Sequence, residues 1–132
     1  MSTDIDFETV IEAAAKEYGP SLTKNGSGST RIVFRVSPEM VLKIPRWPKA
    51  VSYNENEAKL ARGEGKFPAE YCAPCELVDF MGVDCLLMEA VMPIDWADRH
   101  LRPTWANEMD DGAQVGIHKD GRILAYDYGS QA

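Results

Sequence analysis

A lysine in the middle of an apolar segment is the feature that most restricts how this chain can fold. Lys43 lies within Met40–Ile44, whose other residues are all apolar. Pro45 and Pro48 follow, and because proline cannot donate a ladder hydrogen bond, the pattern predicts a strand that ends here. A buried ammonium group is costly unless a carboxylate pairs with it. Lys43 must therefore either meet an acidic partner or extend its amine to the surface.

Glu57 is the candidate partner of Lys43. It lies in a segment of good helix formers over 52–62, which begins with a Ser52 cap and Glu55 and is ended by Gly63. A helix packed across the lysine strand would bring the two side chains together. We expect Glu57→Ala to destabilise such a fold by about 1–3 kcal/mol, since the amine would lose its partner.

The rest of the pattern alternates between strands and short helices. Over 31–36, Ile32, Phe34 and Val36 alternate with Arg31, Val33 and Arg35, which is typical of a strand. The other predicted elements are an amphipathic N-terminal helix ended by Gly19-Pro20, a strand over 21–24, a hairpin of strands 76–80 and 83–88, one or two short helices between 93 and 107, and a hairpin of strands 115–118 and 123–126. The predicted class is α+β with a small antiparallel sheet.

The amino-acid composition and net charge disfavour several classes of protein. The chain has 132 residues, 45% hydrophobic and 27% charged, which is typical of one globular domain. No apolar run is long enough for a membrane span and the N-terminus lacks a signal-peptide pattern, so we expect a cytoplasmic protein. A net charge of -7 disfavours direct binding to nucleic acid, although an acidic surface can also engage a basic protein.

Three cysteines allow two interpretations. Cys72, Cys75 and Cys85 are an odd number without a secretion signal, which favours reduced thiols in the core. The alternative is a zinc site completed by His100 or His118, but a second Cys-x-x-Cys pair is lacking.

Two further segments have the chemistry of a phosphate site. The turn Asn25–Thr30 contains Gly26, Ser27 and Gly28, whose backbone amides can approach phosphate oxygens closely. Asp127 follows a predicted strand and precedes Tyr128-Gly129, where a carboxylate can coordinate Mg²⁺.

In this order, the glycine turn, Lys43, Glu57 and Asp127 resemble the protein-kinase-like fold, over roughly residues 20–129. The resemblance is to the small truncated kinase-like proteins of phages, and Asp127-Tyr128-Gly129 is similar to the Asp-Phe-Gly triplet of kinases. It implies that ATP and Mg²⁺ are the cofactors. It further implies that Glu89 and Val91 are hinge residues whose backbone groups bind adenine.

The segment before the last hairpin departs from the family pattern. Gln114 stands where the resemblance implies a metal-binding Asn, and Met109 stands where it implies the catalytic Asp. Asp110 and Asp111 lie one and two places away, so either is a candidate for the catalytic base. Because only three residues follow Gly129, we expect most of the C-terminal lobe to be absent.

The resulting domain hypothesis is one truncated kinase-like domain over 1–132. Its parts are an N-terminal helix over 1–19, an N-lobe-like part over 20–88, a hinge-like segment over 89–93 and a C-terminal stub over 94–132.

Three functions are consistent with this hypothesis. The first is a pseudokinase or inhibitor, encoded by a phage, that binds ATP and Mg²⁺ and acts by binding a host or phage protein. The second is a minimal active Ser/Thr-type protein kinase. The third is an acidic inhibitor of a basic host defence or nucleic-acid-binding protein that does not bind nucleotide. Apolar surface left by a missing lobe would be covered by such a partner or by a homodimer.

Overall fold

The computed structural model describes residues 7–19, 23–27, 30–65, 68–94, 96–107 and 114–128, in a mixed α+β fold with antiparallel sheets. The larger sheet has five strands in the order β1-β2-β3-β5-β4. These strands are β1 Thr23–Ser27, β2 Arg31–Ser37, β3 Met40–Pro45, β4 Cys75–Phe80 and β5 Val83–Glu89. The predicted fold class is confirmed at this level.

Both faces of the larger sheet are covered. Helix α1, Phe7–Tyr18, confirms the predicted N-terminal helix and packs Val10 and Ala14 against Leu42 and Ile44 of β3. Helix α2, Val51–Ala61, covers the opposite face. Its residues Ala58 and Leu60 lie in a second buried cluster that includes Val41 of β3. Because neighbours in a strand point to opposite faces, Lys43 lies on the α2 face.

Helix α2 begins differently from the prediction. A 3₁₀ turn over Pro48–Ala50 leads directly into it, so Ala50 occupies the N-cap position and no side chain caps the helix there. The predicted Ser52 cap is wrong: the Ser52 hydroxyl donates instead to the Lys49 carbonyl.

The predicted end of α2 at Gly63 is confirmed. The Gly63 amide donates to Leu60 and the Glu64 amide to Lys59, and Gly63 has a φ of 81°. This is the Schellman arrangement, in which glycine adopts the left-handed conformation at little cost.

A second, three-stranded sheet has the order β6-β7-β8. Its strands are β6 Val91–Pro93, β7 Gln114–His118 and β8 Ile123–Asp127. Between β6 and β7 lie a 3₁₀ segment, Trp96–Leu101, and helix α3, Thr104–Asn107, which confirms the short helices predicted there. The last predicted hairpin is confirmed, as is the hairpin of β4 and β5.

Two strand predictions need correction. The first strand, predicted over 21–24, is described over Thr23–Ser27 and continues past Lys24 into the predicted turn, with an irregularity between Lys24 and Gly26; residues 21 and 22 lie outside the described residues. The predicted connector over 89–93 also contains a strand, β6, because its backbone pairs with β7.

The three cysteines lie within the fold as free thiols. Cys72 and Cys85 are buried and Cys75 is half-buried. Burial raises the pKa of the Cys72 thiol to about 12, as expected for core cysteines. In the described part of the chain, no group of three or more His, Cys, Asp or Glu side chains could hold a metal ion.

Aromatic side chains pack in the core of the C-terminal half. The rings of Tyr71 and Trp105 stack with centroids 4.4 Å apart, and Tyr128 is fully buried.

Among the described helices, none is both long and apolar enough to cross a bilayer.

We expect Gly116→Ala to lower the free energy of unfolding by about 1–3 kcal/mol, because β6 lies too close to this position of β7 to leave room for a methyl group. A Cβ at Gly116 would lie 2.6 Å from the Met92 carbonyl oxygen and 2.7 Å from Val91 Cγ2. Urea denaturation measures the loss. Gln114→Ala, at an exposed position of the same strand, is the control and should change stability by less than about 0.5 kcal/mol. Equal effects would contradict the close approach.

Candidate functional site

Four charged side chains from four elements meet between the two sheets. Arg31 begins β2, Lys43 lies in β3, Glu57 lies on α2 and Asp127 ends β8. Val33 and Lys43 are paired across β2 and β3, so Arg31, two residues before Val33, shares the face of Lys43. The site thus joins the larger sheet to the last hairpin.

Glu57 is at the centre of this group and is fully buried. Arg31 binds it through two parallel hydrogen bonds, NH1 to Oε1 and NH2 to Oε2, each 2.7 Å. Lys43 Nζ donates to Oε1 at 2.8 Å, which is the ion pair expected from the sequence. The Tyr128 amide donates to Oε2 at 3.0 Å. Both carboxylate oxygens are therefore satisfied.

The pKa of Glu57 reflects its two cationic neighbours. Burial by itself would raise this pKa, but Lys43 and Arg31 outweigh burial and hold it at about 2. For Lys43 the balance differs: burial lowers the pKa of its ammonium group, and Glu57 opposes that shift. Lys43 Nζ also donates to the Tyr126 carbonyl.

Asn54 supports the group from α2. Its Oδ1 accepts from Arg31 NH1 at 3.1 Å, while its Nδ2 donates to the carbonyls of Lys43 and Asp84 at 3.2 and 2.9 Å. Asn54 is fully buried and three residues before Glu57, so the two side chains lie on one face of the helix. Asn54 thus fixes the Arg31 guanidinium relative to β3 and β5.

Asp127 is the solvent-facing member. Its Oδ1 accepts from Arg31 NH2 at 2.8 Å, and 49% of its side chain is exposed. Gln114, the other predicted metal ligand, is its partner across β7 and β8 and is exposed. The structure therefore brings both predicted metal ligands to one edge.

These residues do not fit Mg²⁺ in this arrangement. An oxygen-ligand site needs carboxylate oxygens facing the ion, whereas the oxygens of Glu57 are used by Arg31, Lys43 and Tyr128. Asp127 already faces a guanidinium, and a second cation beside it would be repelled.

Tyr128 anchors the residue next to Asp127. It is fully buried, its hydroxyl donates to the Ala73 carbonyl at 2.8 Å, and its oxygen lies 3.2 Å from Cys75 Sγ. The position of Asp127 is thus fixed by core packing on its C-terminal side.

The predicted hinge residues lie outside this group. The Glu89 amide donates to the Pro74 carbonyl at 2.9 Å, and its Oε1 lies 2.6 Å from His118 Nε2. Val91 is in β6, paired with His118 of β7.

The predicted glycine turn is described in part. Gly26 and Ser27 are the last residues of β1. Gly28 and both candidate bases, Asp110 and Asp111, lie outside the described residues.

Sequence reasoning missed Arg31 and Asn54. A signal for Arg31 existed: in a G-x-G-x-x-G pattern that starts with Gly26 and Gly28, the third glycine would be residue 31. In this chain, residue 31 is an arginine, so a long charged side chain stands at a position where the pattern requires a residue without a side chain. Asn54 gave no comparable signal, since asparagine within a helix is usually solvent-facing.

No protein-family model matches this sequence, and comparison with curated proteins also finds no match.

Proposed function

We propose that this chain is a truncated kinase-like protein that does not transfer phosphate and acts by binding another protein. In this proposal, the group formed by Arg31, Lys43, Glu57 and Asp127 has a structural role. The expected binding of ATP and Mg²⁺ at a catalytic site is replaced by internal ion pairs.

The order of the elements supports the kinase-like part of the proposal. A glycine-containing strand pair precedes the lysine strand, the glutamate helix follows it, and two further strands complete the sheet. The last hairpin then presents Asp127 and Tyr128 beside the ion pair of Lys43 and Glu57. In kinases, the corresponding lysine binds the phosphates, the glutamate pairs with that lysine, and the aspartate holds the metal ions.

A single observation carries the non-catalytic part: the Arg31 guanidinium bonds both Glu57 and Asp127, at 2.7 and 2.8 Å. Phosphoryl transfer needs an ionised aspartate on the metal and a lysine amine on the phosphates. Here Asp127 faces a side-chain cation, and Lys43 Nζ is directed to Glu57 and the Tyr126 carbonyl. The Lys43–Glu57 pair is compatible with catalysis, but a catalytic arrangement would require the contacts of Arg31 with Asp127 and of Lys43 with the Tyr126 carbonyl to break.

Exposed apolar side chains on the second sheet support the protein-binding part. Met92 of β6 and Ile117 of β7 are cross-strand partners, 72% and 39% exposed. A large exposed Met is well suited to contacts with a protein surface because its side chain adapts in shape. Together the two side chains form a small apolar surface that a bound protein would cover.

The catalytic half is tested by incubating the purified chain with γ-labelled ATP, Mg²⁺ and a generic acceptor protein. We expect no transfer above that of Lys43→Ala and Asp127→Ala. Autophosphorylation or substrate labelling by the wild type that disappears in both variants would overturn the proposal and establish the minimal active kinase.

The binding half is tested by affinity capture with the wild type beside Met92→Asp. We expect at least one protein, or a second copy of the chain, to be retained by the wild type and lost with the variant, with no effect of ATP. Met81→Asp is the control, since Met81 is 65% exposed at the tip of a different hairpin. Identical captured sets for all three proteins would contradict the assignment of this surface.

A further inference from the structure

The charges in the buried group are unevenly distributed. Two cations, Arg31 and Lys43, share the buried carboxylate of Glu57, whose side chain is inaccessible to solvent. The second negative charge comes from Asp127, whose side chain is 49% exposed. Asp127 is thus the counter-ion that solvent can reach, whereas Glu57 is held by the Tyr128 amide. Without Asp127, the group would keep a buried excess positive charge.

From this we propose that Arg31, supported by the field of Lys43, forms a metal-independent site for a phosphoryl oxyanion, and that Asp127 is a built-in competitor occupying it. This goes beyond the proposed function, which requires no ligand at the site. A phosphoryl group is the favoured ligand class because its charged oxygens form strong charge-assisted hydrogen bonds with a guanidinium N–H, and the group of Arg31, Lys43 and Glu57 carries an excess positive charge.

The geometry indicates where the anion would bind. Arg31 NH1 is held inside the fold by Glu57 Oε1 and Asn54 Oδ1. NH2 donates outward to Asp127 Oδ1 as well as to Glu57 Oε2. When the half-exposed Asp127 side chain turns to solvent, NH2 becomes the donor that an incoming oxyanion meets. Glu57 and Asn54 keep the guanidinium in place during this exchange, so the site is preformed.

This assignment makes a prediction opposite to that for a metal-ligating aspartate. If Asp127 held Mg²⁺, removing its charge would abolish phosphate binding. If Asp127 competes with the anion, removing its charge strengthens binding. Asp127→Asn is the suitable variant because the amide oxygen can still accept from Arg31 NH2 and the shape is kept.

The experiment is calorimetric titration of the full chain with sodium pyrophosphate in EDTA at constant ionic strength. We expect weak binding by the wild type and binding about tenfold tighter or more by Asp127→Asn, in line with the strength of a hydrogen bond to a charged group. The double variant Asp127→Asn with Arg31→Gln should lose this gain. Glu12→Gln, at an exposed position of α1, makes the same change in net charge and should bind like the wild type.

Three results would overturn the inference: no gain in Asp127→Asn, an equal gain in Glu12→Gln, or wild-type binding that requires Mg²⁺ and disappears in Asp127→Asn. If Asp127→Asn does not fold, the wild type decides the question. Metal-free pyrophosphate should then raise its Tm but not that of Arg31→Gln, and the absence of this rise overturns the inference. The phosphotransfer assay tests the proposed function separately.

Discussion

We expect Glu57→Ala to lower the free energy of unfolding by about 3–5 kcal/mol, the range for breaking a buried ion pair by removing one partner. The sequence alone predicts a smaller loss, about 1–3 kcal/mol, because it identifies only the Lys43 amine as the group left unpaired. The larger value follows because Glu57 binds two cations, Arg31 and Lys43, and also accepts from the Tyr128 amide. Removing it leaves two positive charges adjacent in a buried position. Urea denaturation at pH 7 measures the loss.

Glu55→Ala is the matched control for this substitution. Glu55 lies two residues earlier on the same helix and is exposed, so its loss should change stability by less than about 0.5 kcal/mol. If Glu57→Ala is unfolded at 25 °C, Glu57→Gln replaces it, since the amide keeps the shape and one acceptor. A cost below about 1 kcal/mol for Glu57→Ala would contradict the central position of this carboxylate.

Acid should destabilise the protein through the same residue. The pKa of Glu57 is about 2 in the folded chain, against an ordinary value of 4.5. Because the folded value is the lower one, the unfolded chain binds the proton more readily. The resulting stability is fully present above pH 4.5 and is lost as the pH falls towards 2. The size of the shift corresponds to about 3 kcal/mol.

The measurement is the free energy of unfolding from pH 7 to pH 2 for the wild type and Glu57→Gln. Other carboxylates also titrate in this range, so the informative quantity is the difference between the two proteins. We expect that difference to shrink by about 3 kcal/mol between the ordinary and the folded pKa. If the free energies of unfolding of the two proteins changed in parallel with pH, the pKa of Glu57 would be the same in the folded and the unfolded chain, which would contradict the prediction.

The pairing of Lys43 with Glu57 could be predicted because its physical cause is local. An ammonium group in an apolar strand needs a carboxylate, and the following helix carried one. Arg31 could not be placed in the same way. It alternates with Ile32 and Phe34, which suggests the polar face of a strand exposed on one side. The sheet is instead covered on both faces, by α1 and by α2, so the arginine became buried and required partners.

Boundary errors have similarly nonlocal causes. Ser52 has the sequence of a cap, but the 3₁₀ turn before it moves the N-cap two residues earlier, to Ala50. The segment containing Val91 lacks a strand pattern and becomes β6 because β7 supplies a pairing edge. Asn54 joins the site through contacts with β3 and β5, which are known only once the helix is docked.

The most direct test of the central claim, that internal ion pairs occupy this site, is calorimetric titration of the wild type with ATP and Mg²⁺. A companion titration uses Arg31→Gly, which places a glycine at the third glycine position of the G-x-G-x-x-G pattern. We predict no Mg²⁺-dependent binding by the wild type, because the Arg31 guanidinium engages both Glu57 and Asp127. Saturable Mg²⁺-dependent binding by the wild type that is lost in Lys43→Ala and Asp127→Ala would contradict the account, whatever Arg31→Gly does.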